Sequence, residues 1–331
     1  MNPKKIRLPA QTYVEGILHA DRLILSRAIT LAESSLSADQ VLAQEVLRQV
    51  LPHTGDSIRI GITGVPGVGK STFIEVFGKI ITALGKKLAV LAVDPSSQRT
   101  RGSIMGDKTR METLSNDPLA YIRPSPAGNS LGGVTRSTRQ AMLLCEAAGY
   151  EVIIVETVGV GQSETAVHGM VDFFLLLALA GAGDELQGIK RGIMEMADAI
   201  AITKADGQNK QASDTARAMY QNALHLFPRS EKNWTPPVVT CSALSQEGVV
   251  QIWEMITSYH QQMQGSNYFH RHRQLQSLQW MYETIKQNLE DQFYNNPHIQ
   301  AQLPVIEQEV KNGKIPALTA AMQLLSLFHQ S

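Results

Sequence analysis

The sequence predicts an α/β protein: a mostly parallel sheet with helices on both faces, lengthened by helical segments at each end. Three observations lead there. From Ser57 to Cys241 short β-branched runs alternate with amphipathic stretches, a rhythm whose right-handed crossovers build parallel sheets. Up to about residue 52, and again after about Leu244, the apolar spacing is helical and no convincing strand occurs. A glycine-rich turn, GVPGVGKST from Gly64 to Thr72, joins the first strand of the alternating region to its first helix. The chain of 331 residues therefore divides into a helical N-terminal arm (1–55), an α/β domain (56–262) and a helical C-terminal extension (263–331).

In the arm, residues from about 11 to 52 read as helices, with Ser37 and Gln40 as a capping box ahead of Val41, Leu42, Val46 and Leu47. His53-Thr54-Gly55-Asp56 breaks that pattern. Six strands are then expected: SIRIGIT (57–63), KLAVLAV (87–93), EVIIV (151–155), DFFLLLAL (172–179), AIAIT (199–203) and PVVTC (237–241). The helix after the first strand places Phe73, Phe77, Ile80 and Leu84 on one face and stops at Gly85. His270-Arg271-His272-Arg273 reads as a solvated turn. Beyond it Leu275, Leu278, Tyr282, Ile285 and Leu289 form a narrow apolar seam, which packs either on the protein's own sheet or on another subunit. Pro297 interrupts the seam, and a last helix runs from about Ile315 to His329.

Composition sets bounds. Thirty basic residues balance thirty acidic ones, which gives no case for nucleic acid or an anionic membrane as the main partner. Two cysteines, Cys145 and Cys241, are too few for a disulfide framework and fit a reducing cytosol. MNPKKIRLPA carries charge without the apolar run of a secretory signal. The greasiest segment, from Val171, is too short for a bilayer and contains Asp172, so a strand covered on both sheet faces is expected. A soluble, cytoplasmic protein is the expectation.

GVPGVGKS matches G-x-x-x-x-G-K-[ST] between a strand and an amphipathic helix, the context that motif needs. Backbone amides of Gly64, Val65, Gly67, Val68 and Gly69, with Pro66 shaping the turn, would wrap a β-phosphate at the helix's positive end. Lys70 would neutralise the β- and γ-oxygens, Ser71 would bind Mg²⁺, and Thr72 completes the motif. The ligand is a nucleoside triphosphate. Thr203-Lys204-Ala205-Asp206 follows the AIAIT strand, where Asp206 can accept from guanine N1–H and its 2-amino group. Adenine offers neither donor, and a carboxylate desolvated against it would cost roughly 1–3 kcal/mol. The Lys204 stem would lie along the base, and a backbone amide of Ser242-Ala243-Leu244 would meet guanine O6. Glu156 closes another apolar strand with Gly159 three residues on, giving ExxG where most GTPases have DxxG. Asp94 and Asp107 read either as further acids for the metal or as ordinary loop aspartates, and Arg99, Arg101 and Arg110 beside them either counter triphosphate charge or lie on a helix surface. This order of motifs is that of a GTPase.

GVPGVGKST, VDPSSQRTRGSIMGDKTRM, RPSPAGNSLGGVT, ETVGVGQSE and ITKAD together resemble the methylmalonyl-CoA mutase-associated GTPases, some of which have carried the label of arginine/ornithine transport kinases. The resemblance covers nearly the whole chain. It implies a homodimer joined through C-terminal helices, slow GTP hydrolysis accelerated by a partner mutase, and gating of that partner's adenosylcobalamin. It further implies that Asp94, Asp107 and Glu156 surround Mg²⁺ and take part with Lys70 in hydrolysis. Gly183 to Arg191, including Asp184, Glu185 and Lys190, match a mobile segment that couples nucleotide to partner, as Gln162 would on the other switch. Two departures from the general GTPase pattern stand out. Thr203 replaces the commoner Asn of NKxD, so a bridge to the phosphate loop must be made differently; Gln162 lies too far from Gly159 to position water. Nine scattered histidines with no CxxC provide no dedicated metal site, which argues against the related nickel-delivery GTPases. Two rivals stay open: a kinase passing the γ-phosphate to an acceptor, and a nucleotide-regulated scaffold whose hydrolysis is incidental.

Overall fold

The computed structural model describes residues 7–93, 111–124, 131–157, 163–181, 191–227 and 232–329. The arm forms α1 (Ala10–Leu18), α2 (Arg22–Ala32) and α3 (Ser37–Val50). Next come β1 (Ile58–Gly64), α4 (Lys70–Ala83), β2 (Leu88–Val93), a short α5 (Glu112–Ser115), β3 (Ala120–Arg123) and α6 (Leu131–Ala147). They are followed by β4 (Val152–Thr157), α7 (Ser163–His168), β5 (Phe173–Leu179), α8 (Arg191–Met196), β6 (Ala199–Thr203), α9 (Lys210–Leu224) and β7 (Val238–Thr240). The chain ends in α10 (Val249–Gly265), α11 (Tyr268–Tyr294), α12 (Pro297–Lys311) and α13 (Ala317–His329). Neighbouring strands pair in parallel in the order β3-β2-β4-β1-β5-β6-β7.

The expected α/β class holds, and each of the six expected strands is present. β3 is the addition: four residues at the sheet edge, next to Pro118 and Pro124, carry too little alternation to be read as a strand. β1, β4, β5 and β6 are buried on both faces, hence their unbroken apolar runs. No described helix is long and apolar enough to cross a membrane. On one face Ile153, Val155 and Phe174 share a core with Ile17, Leu25, Ile29 and Val50 of the arm. On the other, Ile60, Ile154 and Phe173 pack with Phe73 and Phe77 of α4 and Trp253 and Tyr259 of α10.

Three local expectations are corrected. Ser37 is the first residue of α3 and not its cap; Leu36 holds the cap position without a side-chain bond, and the nearby hydroxyl of Ser34 turns to Asp39 at 2.6 Å. The buried face of α4 is Phe73, Ile74, Phe77 and Ile81, while Leu84 lies beyond the helix and is exposed, so the apolar stripe is rotated from the one expected. His270 to Arg273 belong to α11, and Arg273 is not solvated.

The chain divides into two compact units, residues 1–273 and 274–331, the division falling within α11 where the sequence suggested 262/263. In the second unit α12 and α13 pack through Ile299, Ile306, Ala320 and Leu324. The seam residues Leu275, Leu278, Tyr282, Ile285 and Leu289 are exposed, each by about half or more.

A buried ionic cluster occupies the amino-terminal end of the sheet in the first unit. Arg273 bonds Asp172 twice, at 2.8 and 2.6 Å, and donates to the carbonyls of Gly55 (2.7 Å) and Ser57 (2.6 Å). Arg59 clasps Glu146 at 2.8 and 2.9 Å, and its amide donates to Asp172 at 2.8 Å. Burial alone would raise the Asp172 carboxyl; the guanidinium of Arg273 and the charge of Arg59 overcome it and hold the group below the usual range. Removing one member leaves the others charged in a dry setting. Arg273→Met is therefore expected to lower unfolding free energy by about 3–5 kcal/mol in urea titrations. His168, packed edge-on to Phe174 at 5.5 Å, is pulled down from 6.5 to about 4 by burial, with Lys232's charge adding. Its folded pKa lies below the unfolded one, so the unfolded chain gains the proton first. Stability should then fall by about 2 kcal/mol between about pH 6.5 and about pH 5 from this group, and His168→Gln should remove that share.

Candidate functional site

β1 delivers the chain to the carboxyl edge of the sheet at Gly64, and the loop to Lys70 closes into α4. Gly69 holds the cap position of α4 with φ 96°, a left-handed backbone that a side chain would strain. The turn aims the first amides of α4 outward, the arrangement that receives anions. Lys70 is buried, and its Nζ donates to Gly64 O at 2.7 Å and reaches Val65 O at 3.4 Å. Burial depresses its pKa, while the carboxylates of Glu156 and Glu164 push it back up. The lysine is thus a desolvated donor folded onto its own loop, able to exchange carbonyls for phosphate oxygens.

Glu156 lies in β4 beside Ile62 of β1, is 7% exposed, and faces the Ser71 hydroxyl with Oγ–Oε1 at 3.3 Å. Beneath them the buried hydroxyls of Thr157 and Thr63 bond at 2.8 Å, joining the same two strands. A hydroxyl and a carboxylate beside a phosphate loop are hard oxygen donors, and Mg²⁺ at such sites takes one or two protein oxygens besides phosphate and water. The residues present therefore fit that ion, although no cluster of three or more metal-binding side chains occurs among the described residues. Asp94, Asp107, Gly159, Gln162, Asp184, Glu185 and Lys190 lie outside the described residues, as do Arg99, Arg101 and Arg110; Arg191 opens α8, and its side chain lies outside them too. Glu164 was missed from the sequence: it is 4% exposed at the start of α7, and its charge acts on Lys70.

β6 brings the second half of the site. The buried Thr203 hydroxyl donates to Val68 O at 2.8 Å and lies 3.3 Å from Ala178 O. Lys204 adopts φ 56°, its carbonyl accepts from Asn209 at 2.8 Å, and its Nζ donates to Gly67 O at 2.9 Å. The last residue of β6 and the first residue after it thus bond two adjacent carbonyls of the phosphate loop. Asp206 accepts a short hydrogen bond from the Ser242 hydroxyl, and that hydroxyl in turn accepts from Ser245 N at 3.2 Å. The amide of Ala205 donates to Cys241 O at 3.1 Å, so the loops after β6 and β7 are laced together. Ala243 is half-buried and Leu244 is 82% exposed beside them.

A phosphate loop, a buried acid on the neighbouring strand and two laced loops at the same sheet edge define a phosphate-loop nucleotide-binding protein. The family described as "Methylmalonyl Co-A mutase-associated GTPase MeaB" matches residues 25–298, and the chain belongs to that family. A "Putative GTPase" of Caulobacter vibrioides is 50% identical over 94% of this chain and 95% of its own. A "Methylmalonic aciduria type A homolog, mitochondrial" of Mus musculus is 45% identical over 99% of this chain and 81% of its own. The crystal structure of a "LAO/AO transport system kinase" is 38% identical, with TM-score 0.77 over 97% of this chain and 98% of that one. The protein is a GTPase and binds guanine nucleotide.

The turn that presents Ser242 depends on Gly248, also unremarked from the sequence. Its φ is 77°, and a Cβ there would approach Thr240 O to 2.3 Å and Cys241 Cα to 3.1 Å, both rigid backbone. Gly248→Ala is expected to cost about 1–3 kcal/mol of stability and to weaken GDP binding, measured by thermal unfolding with and without GDP.

Proposed function

We propose that the protein is a GTP-hydrolysing chaperone of an adenosylcobalamin-dependent methylmalonyl-CoA mutase, which it assembles, gates for cofactor loading, and protects or reactivates. The family match and the methylmalonic aciduria homologue support a mutase-associated role, and the site supports the nucleotide cycle behind it. The carrying observation is Asp206: half-buried in the loop after β6, it is steadied on Oδ2 by Ser242, and no hydrogen bond to Oδ1 occurs among the described residues. A carboxylate held this way offers acceptors to guanine N1–H and the 2-amino group, which adenine lacks.

In this reading Gly64, Val65, Gly67, Val68, Gly69 and Thr72 cradle the phosphates through the backbone, and Pro66 shapes the turn. Lys70 leaves its own carbonyls for the β- and γ-oxygens. Ser71 and Glu156, with Asp94 and Asp107, would hold Mg²⁺, whose charge would stabilise the triphosphate and the departing phosphate. The Lys204 stem covers one face of the base, and Thr203, Ser242, Ala243 and Leu244 complete its pocket. No described side chain is an evident general base, which fits slow turnover, because phosphoryl transfer rests on positioning and charge. Gly159 would report the γ-phosphate, while Gln162, Asp184, Glu185, Lys190 and Arg191 would carry nucleotide state to the partner. The exposed seam Leu275–Leu289 fits a homodimer contact, and few cysteines fit the cytoplasm. The domains proposed are 1–55, 56–262 and 263–331.

Asp206→Asn is expected to trade GTP for xanthosine triphosphate by tenfold or more in competition binding. Unchanged GTP selectivity would reject the base assignment. Labelled GTP also separates the kinase: phosphate found on an added amino acid, with none released to water, would favour transfer over hydrolysis.

A further inference from the structure

Two buried hydroxyls bridge β1 and β4 just beneath Ser71 and Glu156. We infer that Thr63 and Thr157 are positioning residues that set the distance between the two protein oxygens offered to Mg²⁺, those of Ser71 and Glu156. The inference deepens the guanine-nucleotide reading above and rests on its metal assignment.

The backbone ladder between β1 and β4 runs from Ile58 beside Val152 to Ile62 beside Glu156 and stops there. Beyond that row β1 stays laddered to β5, through Thr63 with Leu176 and Gly64 with Leu177. β4 stays laddered to β2, through Thr157 with Val93. Each strand is thus held by its outer neighbour while the ladder between the two has ended, which opens the crevice where sheets of this kind bind ligands. At the first row of that gap the Thr63 and Thr157 hydroxyls bond at 2.8 Å. They are 1% and 0% exposed, so neither can turn to bulk water instead.

The pair lies one residue from the groups it would align. Thr63 precedes Gly64, whose carbonyl receives Lys70 at 2.7 Å. Thr157 follows Glu156, which faces Ser71 at 3.3 Å. Strand alternation puts Thr157 on the face of Ile153 and Val155, away from the Glu156 carboxylate, so its effect runs through the backbone. Mg²⁺ tolerates little error, because it demands near-octahedral oxygens at about 2.0–2.1 Å. The hydroxyl pair closes to 2.8 Å, whereas methyl groups in the same places would rest at about 3.5–4.0 Å. Valine at both positions would therefore spread the strand ends by about 1 Å, and valine at one by somewhat less, with the shape otherwise kept.

Metal and nucleotide can be separated in the test. A fluorescent, non-hydrolysable GTP analogue is titrated with protein over a series of Mg²⁺ concentrations and in EDTA. Thr157→Val should raise the Mg²⁺ concentration for half-maximal tightening about fivefold, less than the loss of a group bonded directly to a metal ligand, and leave affinity in EDTA within twofold. Thr157→Ser restores the hydroxyl and should need Mg²⁺ within twofold of the native protein. Thr63→Val combined with Thr157→Val leaves no hydroxyl stranded. The double variant should melt closer to the native protein than either single variant does, yet keep the raised Mg²⁺ requirement. If Thr157→Val does not fold, the double variant carries the same comparison. A Mg²⁺ requirement that follows melting temperature across these variants would mean a merely structural bond and overturn the inference. So would an unchanged requirement, or an equal loss of affinity in EDTA. Native protein that binds the analogue equally with and without Mg²⁺ would instead reject the metal assignment, and the inference would fall with it.

Discussion

Parallel pairing is the constraint from which the site follows. Because β1 lies between β4 and β5, with β6 next, their carboxyl ends open on one edge of the sheet. The loop after β1, the acid on β4 and the base-reading loop after β6 are distant in sequence but adjacent there. An antiparallel neighbour would have carried one of them to the far edge. The right-handed crossovers that place helices on both faces are the same feature seen from the side, and they explain why the central strands show no alternation.

Polar groups are divided between the two ends of the sheet by task. At the carboxyl end the donors are held close to acceptors they can give up: Lys70 on Gly64 O, and Ser71 at 3.3 Å from Glu156. At the amino end the bonds are bidentate, short and dry, as in Arg59 with Glu146 and Arg273 with Asp172. One end is arranged for exchange and the other for permanence. At the amino end the buried carboxylates of Glu146 and Asp172 are held below their usual range by the guanidinium clasps.

What could be read from the sequence was what is local. Strand runs, the phosphate loop and the TKAD turn declare themselves within a few residues, since their chemistry depends on spacing along the chain. What could not be read depends on partners far away. Thr203 looked like a missing asparagine until β6 was seen to carry its hydroxyl to Val68. Glu164 drew no notice in the sequence, because only the fold buries it at the start of α7 within reach of Lys70's charge. Arg273 sat in a run of charges that suggested solvent, and only Ser57 and Asp172, just ahead of β1 and β5, reveal its use. β3 failed for the opposite reason: it is an edge strand too brief to carry a pattern, made regular by its neighbour β2.

The place of Arg273 also bears on how this chain could lose its tail. A break at residue 262 would leave every nucleotide-binding motif intact on paper. It would also strip two carboxylates and two peptide oxygens of the guanidinium that neutralises them. Proteolysis there would leave buried charges uncompensated in the nucleotide-binding unit, so the stable unit extends through that arginine.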